Sequence, residues 1–264
     1  MSQQIQEEKS RNPSHQDNFP NAQKLIKSIT VVIACLNEEE NLQETYEGVV
    51  QAIISSLFKD YEIIIVNDGS QDRTGEIADN IAGTDPHVRV IHNEINKGFG
   101  SSFNLGLKHS TMTYITVVPG DNEIMPESIE KILKAVGKAD IVTSYTENTE
   151  VRPFYRRFLS ICFTTLINLL FNNRLKYYNG PNVYQVGQVT PIGLENTNFS
   201  FNAEAVIRLL RSGSSVIEVG MKIRKKKSYR TRALKINNLL NVLRSVFRLF
   251  FSLRKKTHCS RLAG

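Results

Sequence analysis

The chain has 264 residues, of which 41% are hydrophobic, and it carries 33 Lys or Arg against 26 Asp or Glu. This length fits one domain, or one domain with an appendage, and the apolar content excludes wholesale disorder. Three scattered cysteines exclude a disulfide framework, and with only five histidines a Cys- or His-rich metal site is not expected. No uncharged apolar run of about 18 residues occurs, so we do not expect an ordinary transmembrane helix.

Charge is distributed unevenly along the chain. Residues 219–264 hold fourteen Lys or Arg and no acid, which leaves 19 basic and 26 acidic residues in 1–218, a balance of −7. A basic end on an acidic body suggests a polyanionic partner, such as nucleic acid, anionic lipid or a phosphorylated substrate. A simple solvated basic tail is the alternative. The few cysteines indicate a reducing compartment, the cytosol or the cytoplasmic face of a membrane.

Strand and helix patterns alternate after a polar leader, residues 1–27, that we predict to be disordered and not a secretory signal. Continuous apolar, β-branched runs predict strands at 28–35, 61–66, 88–92, 113–118 and 139–143. Helical spacing of apolar residues predicts helices at 38–57, 72–81, 99–108 and 126–136. This order predicts an α/β fold, with a mainly parallel sheet and helices on both faces.

Two further segments, 157–171 and 237–253, are predicted amphipathic helices with broad apolar faces. Such helices lie in a membrane interface or pack on a partner. For 157–171 a core helix is an equal alternative. For 237–253 membrane association is favoured, because the basic residues 254–256 follow at once and suit anionic headgroups. We therefore predict a basic, membrane-associating tail over 236–264.

Polar loops follow the first four predicted strands, at 34–40, 67–74, 93–100 and 119–123. In an open α/β sheet, ligands bind at the carboxyl ends of the strands. The loops contain acids, amides and glycines but no Ser-His-Asp or Cys-His set, which favours a polar ligand with a divalent cation. A dinucleotide fingerprint is excluded because Phe103 stands where GxGxxG needs its third glycine, and no phosphate-binding P-loop sequence occurs.

Four motifs carry a resemblance to a known family. They are VVIACLNEE at 31–39, IIVNDGSQDRT at 64–74, NKGFG at 96–100, and Asp121 with Glu123. In this order they resemble the motifs of family-2 glycosyltransferases of GT-A fold, and in layout those of polyprenyl-phosphate sugar synthases such as dolichol-phosphate mannose synthase. The resemblance covers roughly 28–235, which we predict to be the glycosyltransferase domain.

The resemblance implies a nucleotide-sugar site. Asp68 would accept a hydrogen bond from the base, although an Asp before a Gly is also a common turn former. Other residues implied in donor binding are Ala34, Leu36, Glu38, Lys97, Gly98, Arg232 and Lys235. Arg230 belongs to the same basic loop, which would offset charge on the leaving diphosphate.

The resemblance also implies Mg²⁺ or Mn²⁺ at Asp121 and Glu123, for which a solvated acidic turn is the alternative. The family's first metal-binding acid falls on Pro119, so one ligand is missing here. Glu204 would order the floor of the site or act as a general base. An ordinary acid in the first turn of a helix is as good an explanation.

The implied reaction is inverting transfer of a sugar from a nucleotide-sugar, in the synthesis of cell-surface glycans. A lipid phosphate acceptor is favoured, because its oxygen is already anionic and the acid the family carries near Asn179 is absent. A hydroxyl acceptor would need a base, for which Glu204 is the candidate. A non-catalytic membrane-bound nucleotide-sugar binder is a further alternative. A nucleic-acid-binding module is disfavoured because the basic residues alternate with an apolar helix.

Overall fold

A computed structural model describes residues 27–56, 58–194, 200–226 and 243–253. The strands are β1 (Ser28–Cys35), β2 (Asp60–Asp68), β3 (Val88–Asn93), β4 (Tyr114–Pro119), β5 (Ile141–Thr146), β6 (Val183–Gln185) and β7 (Val216–Met221). The helices are α1 (Leu42–Ser55), α2 (Thr74–Thr84), α3 (Phe99–His109), α4 (Pro126–Leu133), α5 (Phe154–Phe171), α6 (Val186–Val189), α7 (Phe201–Arg211) and α8 (243–253). Two 3-10 turns lie at Thr149–Val151 and Thr190–Ile192.

The strands form one sheet in the order β3-β2-β1-β4-β6-β5-β7, and β6 alone is antiparallel to its neighbours. Consecutive residues of β1 point to opposite faces: Val31 and Ile33 pack on the side of α1, α2 and α4, while Val32 packs on the side of α3, α5 and α7. Both faces are covered, which explains why the strand is apolar at successive positions. The predicted α/β fold is confirmed.

All five predicted strands and all four predicted helices are present, with ends that differ by a few residues. The prediction did not include β6 or β7. The antiparallel strand β6 has only three residues, too few for a period-2 pattern, and it was part of a loop motif in the sequence. Of the predicted segment 237–253, residues 243–253 are helical. The predicted leader, apart from residue 27, and residues 254–264 lie outside the described part of the chain.

The direction in which the chain adds strands reverses between β1 and β4. From β1 it builds outward through β2 to β3, and it then returns to place β4 on the other side of β1. Such a reversal leaves a crevice at the carboxyl ends of the two central strands, where open α/β sheets bind ligands. The fold therefore places the ligand site beyond Cys35 and Pro119.

Helix α3 packs closely on β1, which fixes the loop that precedes the helix. A Cβ on Gly106 would stand 2.3 Å from Cγ2 of Val32, whereas a Cβ on Gly83 of α2 would meet nothing within 4 Å.

We predict that Gly106→Ala destabilises the protein by about 1–3 kcal/mol through overpacking. Gly83→Ala is the matched control and should be neutral or stabilising, since alanine favours helix. Urea unfolding of both variants tests this, and equal stabilities would contradict the close packing.

Candidate functional site

The polar loops that follow β1, β2 and β4 converge at one edge of the sheet. The backbone N–H of Gly120 donates to the carbonyl of Ala34 at 2.9 Å, and that of Asn122 donates to Oγ1 of Thr45 at 3.0 Å. Asp68 is the last residue of β2, and Asp121 lies in the turn beyond the end of β4; these two strands flank β1 on opposite sides. The predicted meeting of these loops is confirmed.

Electrostatics at the end of β1 show the same convergence. Burial raises the pKa of the Cys35 thiol. Three carboxylates from three different loops raise this pKa further: Glu38, Asp121 and Asp72. All three therefore lie within electrostatic range of one buried atom at the centre of the crevice.

Side chains of the second motif bind the loop after β1 to the loop after β2. Oγ1 of Thr74 accepts from the backbone N–H of Glu38 at 2.8 Å, and Asp72 accepts from the backbone N–H of Glu39 at 3.3 Å. Burial alone would raise the pKa of the Asp72 carboxyl, but the hydrogen bonds from Thr74 and Glu39 outweigh burial and lower it. The motif thus builds the rigid wall of the crevice.

Asp68 holds the NKGFG loop in place. Its Oδ1 accepts from the backbone N–H of Lys97 at 2.9 Å, and its Oδ2 accepts from that of Gly98 at 2.8 Å. Oδ1 also accepts from the side-chain amide of Asn93 at 2.9 Å. The loop passes so close to β2 that a Cβ on Gly69 would lie 2.7 Å from the backbone nitrogen of Asn96. The buried carboxylate is therefore a structural tie, and its predicted contact with a base stays a prediction.

The other predicted donor-binding residues line the same edge. Ala34 is buried, Leu36 is half-buried, and Oε2 of Glu38 accepts from the side-chain amide of Asn41 at 2.9 Å. The Lys97 side chain is exposed, and Gly98, at φ 96°, starts helix α3. A helix N-terminus favours negative charge, and at the start of α3 the Asp68 carboxylate supplies it. Predicted residues Arg230, Arg232 and Lys235 lie outside the described part of the chain.

The two predicted metal ligands are each engaged by a cation. Nζ of Lys226 donates to Oδ2 of Asp121 at 2.5 Å. Oε1 of Glu123 accepts from Nε and Nη2 of Arg152 at 3.2 and 3.1 Å. Asp121 Oδ1 also accepts from the backbone N–H of Glu123 at 3.1 Å.

A short extended segment, 222–226, brings Lys226 to the acidic loop. Ile223 forms an antiparallel bridge with Ile124, and the backbone N–H of Arg224 donates to the carbonyl of Glu123 at 2.7 Å. The Arg224 guanidinium binds the carbonyl of Asn122 at 3.0 Å. Sequence reasoning missed Lys226, Arg224 and Arg152 as site residues. The basic run at 224–227 was a usable signal, but its partner loop lies 100 residues earlier, so only tertiary contacts reveal the pairing.

These residues do not fit a divalent cation as they are arranged here. Cations already occupy both carboxylates, and among the described residues no group of three His, Cys, Asp or Glu side chains could hold a metal. Mg²⁺ and Mn²⁺ take oxygen ligands with near-octahedral demands, so a metal would first have to displace both partners. Metal binding at Asp121 and Glu123 stays a prediction.

Glu204 lies in the first turn of α7, is 2% exposed, and accepts from Nε of Arg208 at 2.8 Å. Neighbouring residues of α7 join this helix to α3 and to the loop at Gly180. Phe201 stacks on Phe103 of α3, and the side-chain amide of Asn202 donates to the carbonyl of Gly180 at 3.1 Å. These contacts favour the ordering role of Glu204 over that of a base.

The fold and site geometry agree with a comparison against known families. The sequence model described as Glycosyl transferase family 2 matches residues 30–189, more than half of the chain. The chain belongs to glycosyltransferase family 2. The match begins in β1 and ends in α6, so it contains all the loops of the crevice.

Curated relatives match about half of the chain. The dolichol-phosphate mannosyltransferase of Pyrococcus furiosus is 32% identical over 137 residues, 50% of this chain and 38% of that protein. The undecaprenyl-phosphate 4-deoxy-4-formamido-L-arabinose transferase of Edwardsiella ictaluri is 31% identical over 51% of this chain and 42% of its own length. The chain therefore spans well under half of the length of these relatives.

Solved structures share the fold over a longer span. Glucosyl-3-phosphoglycerate synthase from Mycobacterium tuberculosis, in complex with Mg²⁺ and UDP, superposes with a TM-score of 0.58 at 15% identity. The superposition covers 86% of this chain and 79% of that one. The same enzyme with Mn²⁺, UDP and phosphoglyceric acid gives a TM-score of 0.56. At this identity the likeness establishes the GT-A-like fold.

The role of Asp68 as a tie can be tested by its removal. Asp68→Ala leaves the buried backbone donors of Lys97 and Gly98 without their acceptor, so we expect a loss of about 1–3 kcal/mol in unfolding free energy. Asp79→Ala removes an exposed carboxylate paired with His92, and should change stability by less than about 0.5 kcal/mol. Urea unfolding followed by circular dichroism measures both. Equal stabilities would show that Asp68 does not hold the loop.

Proposed function

We propose that this protein transfers a sugar from a nucleotide-sugar to a lipid-linked phosphate, at the cytoplasmic face of a membrane, in the synthesis of cell-surface glycans. Family membership and the crevice at the switch point support the donor side of this proposal. The observation that carries the acceptor side is the exposed apolar face of α5. Relatives named for dolichyl- or undecaprenyl-phosphate substrates agree with it.

Helix α5 packs Ile167 and Phe171 on the core and also turns two polar residues inward, whereas several of its large apolar residues are exposed. The side chain of Asn168 bonds the carbonyl of Leu175 at 2.8 Å and the hydroxyl of Tyr178 at 2.8 Å, and Thr164 is buried beside it. The large exposed side chains on the opposite side are Phe154 (76%), Phe158 (55%), Ile161 (65%) and Leu169 (77%). A solvated helix has the reverse arrangement.

The length of α5 is also suited to a membrane surface. Among the described residues it is the one helix long and apolar enough to cross a membrane, but Arg156 and Arg157 stand in its first turn. At about 27 Å it falls slightly short of the hydrocarbon core, and its inner face packs on the domain. These features favour a helix lying in the interface over one that spans.

Helix α8 extends this apolar surface. Phe250 packs edge-on against Phe171 at the end of α5, with ring centroids 5.8 Å apart. Phe247 and Phe251 are exposed, and Arg244 and Arg248 lie on the same helix. The apolar rings suit the acyl boundary, and the arginines suit anionic headgroups. The predicted contribution of residues 254–256 lies outside the described part of the chain.

A lipid phosphate needs little activation as an acceptor. Its oxygen is already anionic near neutral pH, because a phosphate monoester has its second pKa at about 6. This oxygen would form a bond to the anomeric carbon while the bond to the nucleoside diphosphate breaks, which inverts the configuration. No proton has to be removed from this acceptor, so the transfer needs no general base. This agrees with the structure, in which Glu204 is buried and paired with Arg208.

Divalent metal is a separate question. The solved structures that contain Mg²⁺ or Mn²⁺ with UDP support the predicted use of a metal, and the two ion pairs at Asp121 and Glu123 count against it. When bound, a metal would offset charge on the diphosphate. No step of the proposed transfer depends on it.

The proposed reaction is tested with a panel of UDP- and GDP-sugars, polyprenyl phosphate as acceptor, and mass spectrometry of the lipid product. We expect a lipid whose mass increases by one glycosyl residue with one donor of the panel. A soluble glycoside formed from a hydroxyl acceptor would contradict the lipid-phosphate acceptor. Donor binding without transfer to any acceptor would favour the non-catalytic binder.

The membrane surface is tested with a matched pair of variants. Ile161 on α5 and Ile54 on α1 are each 65% exposed, but only Ile161 belongs to the proposed surface. We expect Ile161→Asp to reduce co-sedimentation with anionic liposomes, since a charge at the interface opposes insertion, and Ile54→Asp to leave it unchanged. Equal binding by both variants would contradict docking through α5.

A further inference from the structure

We propose that Lys226 and Arg152 supply the positive charge that faces the donor's diphosphate, so that transfer does not require a divalent cation. This inference rests on the proposed function and concerns the same crevice. It assigns a binding role to two residues outside the family motifs, at the place where a metal was predicted.

Both cations are fixed at the carboxyl end of β4, where the switch point places the ligand. The side chains of Lys226 and Asp121 are 27% and 18% exposed, and those of Arg152 and Glu123 are 19% and 12% exposed. These pairs are therefore sheltered but still reach the crevice surface. A sheltered pair is screened by salt less than an exposed one, so the attraction within each pair persists at physiological ionic strength.

Each cation keeps hydrogen-bond donors for a ligand. An ammonium group has three donors, and Lys226 uses one on Asp121. A guanidinium group has five, and Arg152 gives two to Glu123. Asp121 and Glu123 thus act as positioning residues that hold the two cations.

The charge of the cluster disfavours a metal. Around the 121–123 loop, three acids (Asp121, Glu123 and Glu44) face three cations (Lys226, Arg152 and Arg224). Each of the two predicted metal ligands is thus already paired with a cation of the chain. A divalent cation at Asp121 and Glu123 must compete with these tethered partners.

The same charges suit the leaving group. When the bond from the anomeric carbon to the β-phosphate oxygen breaks, the electron pair stays on that oxygen and the diphosphate gains charge. Preorganised Lys and Arg donors stabilise such charge in transferred phosphates. The crevice can therefore stabilise the diphosphate with protein groups alone.

The first experiment measures Mn²⁺ binding by the electron paramagnetic resonance of free Mn²⁺, with the full chain and no nucleotide. We expect no saturable Mn²⁺ binding by the wild type. Lys226→Met leaves Asp121 unpaired, so this variant should bind Mn²⁺ more tightly than the wild type. Saturable wild-type binding that Asp121→Asn abolishes would overturn the inference.

The second experiment measures binding of UDP and GDP by calorimetry, in EDTA and in Mn²⁺. We expect the preferred nucleotide to bind wild type equally in both. Lys226→Met should weaken its binding in EDTA by about tenfold, the value of one charged hydrogen bond, while Lys226→Arg should retain most of it. The control Lys134→Met removes a more exposed Lys–Glu pair at the end of α4, away from the crevice loops, and should have no effect. Binding that requires Mn²⁺ would overturn the inference.

Transfer assays in EDTA complete the test. We expect at least half of the activity measured in Mn²⁺, and a loss of more than tenfold would contradict metal-free transfer. A wild type that binds nucleotide without Mn²⁺ but transfers to no acceptor would reject the proposed function and leave the diphosphate site standing. A wild type that binds neither nucleotide under any condition would reject both.

Discussion

The position of β1 between β2 and β4 is the constraint on which the rest of this protein depends. Because the chain reverses its direction of strand addition there, the ends of three buried strands deliver their polar loops to one crevice. Those loops are short and are tied to each other by backbone donors and acidic side chains. Both carboxylate oxygens of Asp68 and of Asp72 accept hydrogen bonds from backbone N–H groups of these loops. These motif carboxylates thus have an architectural role in the crevice, in addition to the donor contact predicted for Asp68.

The crevice also shows why an acidic motif does not by itself specify a metal site. A carboxylate attracts whichever cation the fold brings to it. Here the segment after β7 runs antiparallel to residues 123–125 and carries Lys226 to Asp121, and the turn before α5 carries Arg152 to Glu123. A tethered ammonium has a high local concentration and loses little entropy on pairing, so it competes strongly with free metal. The family resemblance and the local electrostatics therefore lead to different expectations for one site.

The inner side of α5 depends on the pairing of a buried amide. Asn168 turns inward because the loop around Leu175 and Tyr178 offers backbone and hydroxyl partners there. The apolar side of α5 is left without a partner in the described part of the chain, apart from the contact of α8 near Phe171. In the proposed function, this apolar face docks on the membrane that carries the lipid-linked acceptor.

The sequence by itself determined the α/β class, the strands β1 to β5 and the loops that follow β1, β2, β3 and β4. These features depend on apolar periodicity and on short motifs. Both are local patterns, so they can be recognised in the sequence without knowledge of the fold. Only the tertiary structure decided the antiparallel insertion of β6, the ties made by Asp68, and the pairing of Lys226 with Asp121 and of Arg152 with Glu123. It also decided which face of α5 is exposed, where the sequence had left two alternatives. The physical reason is that each of these depends on partners far apart in the chain, and the pairing energy of a charge or a buried amide is set by what the fold brings within a few ångströms of it.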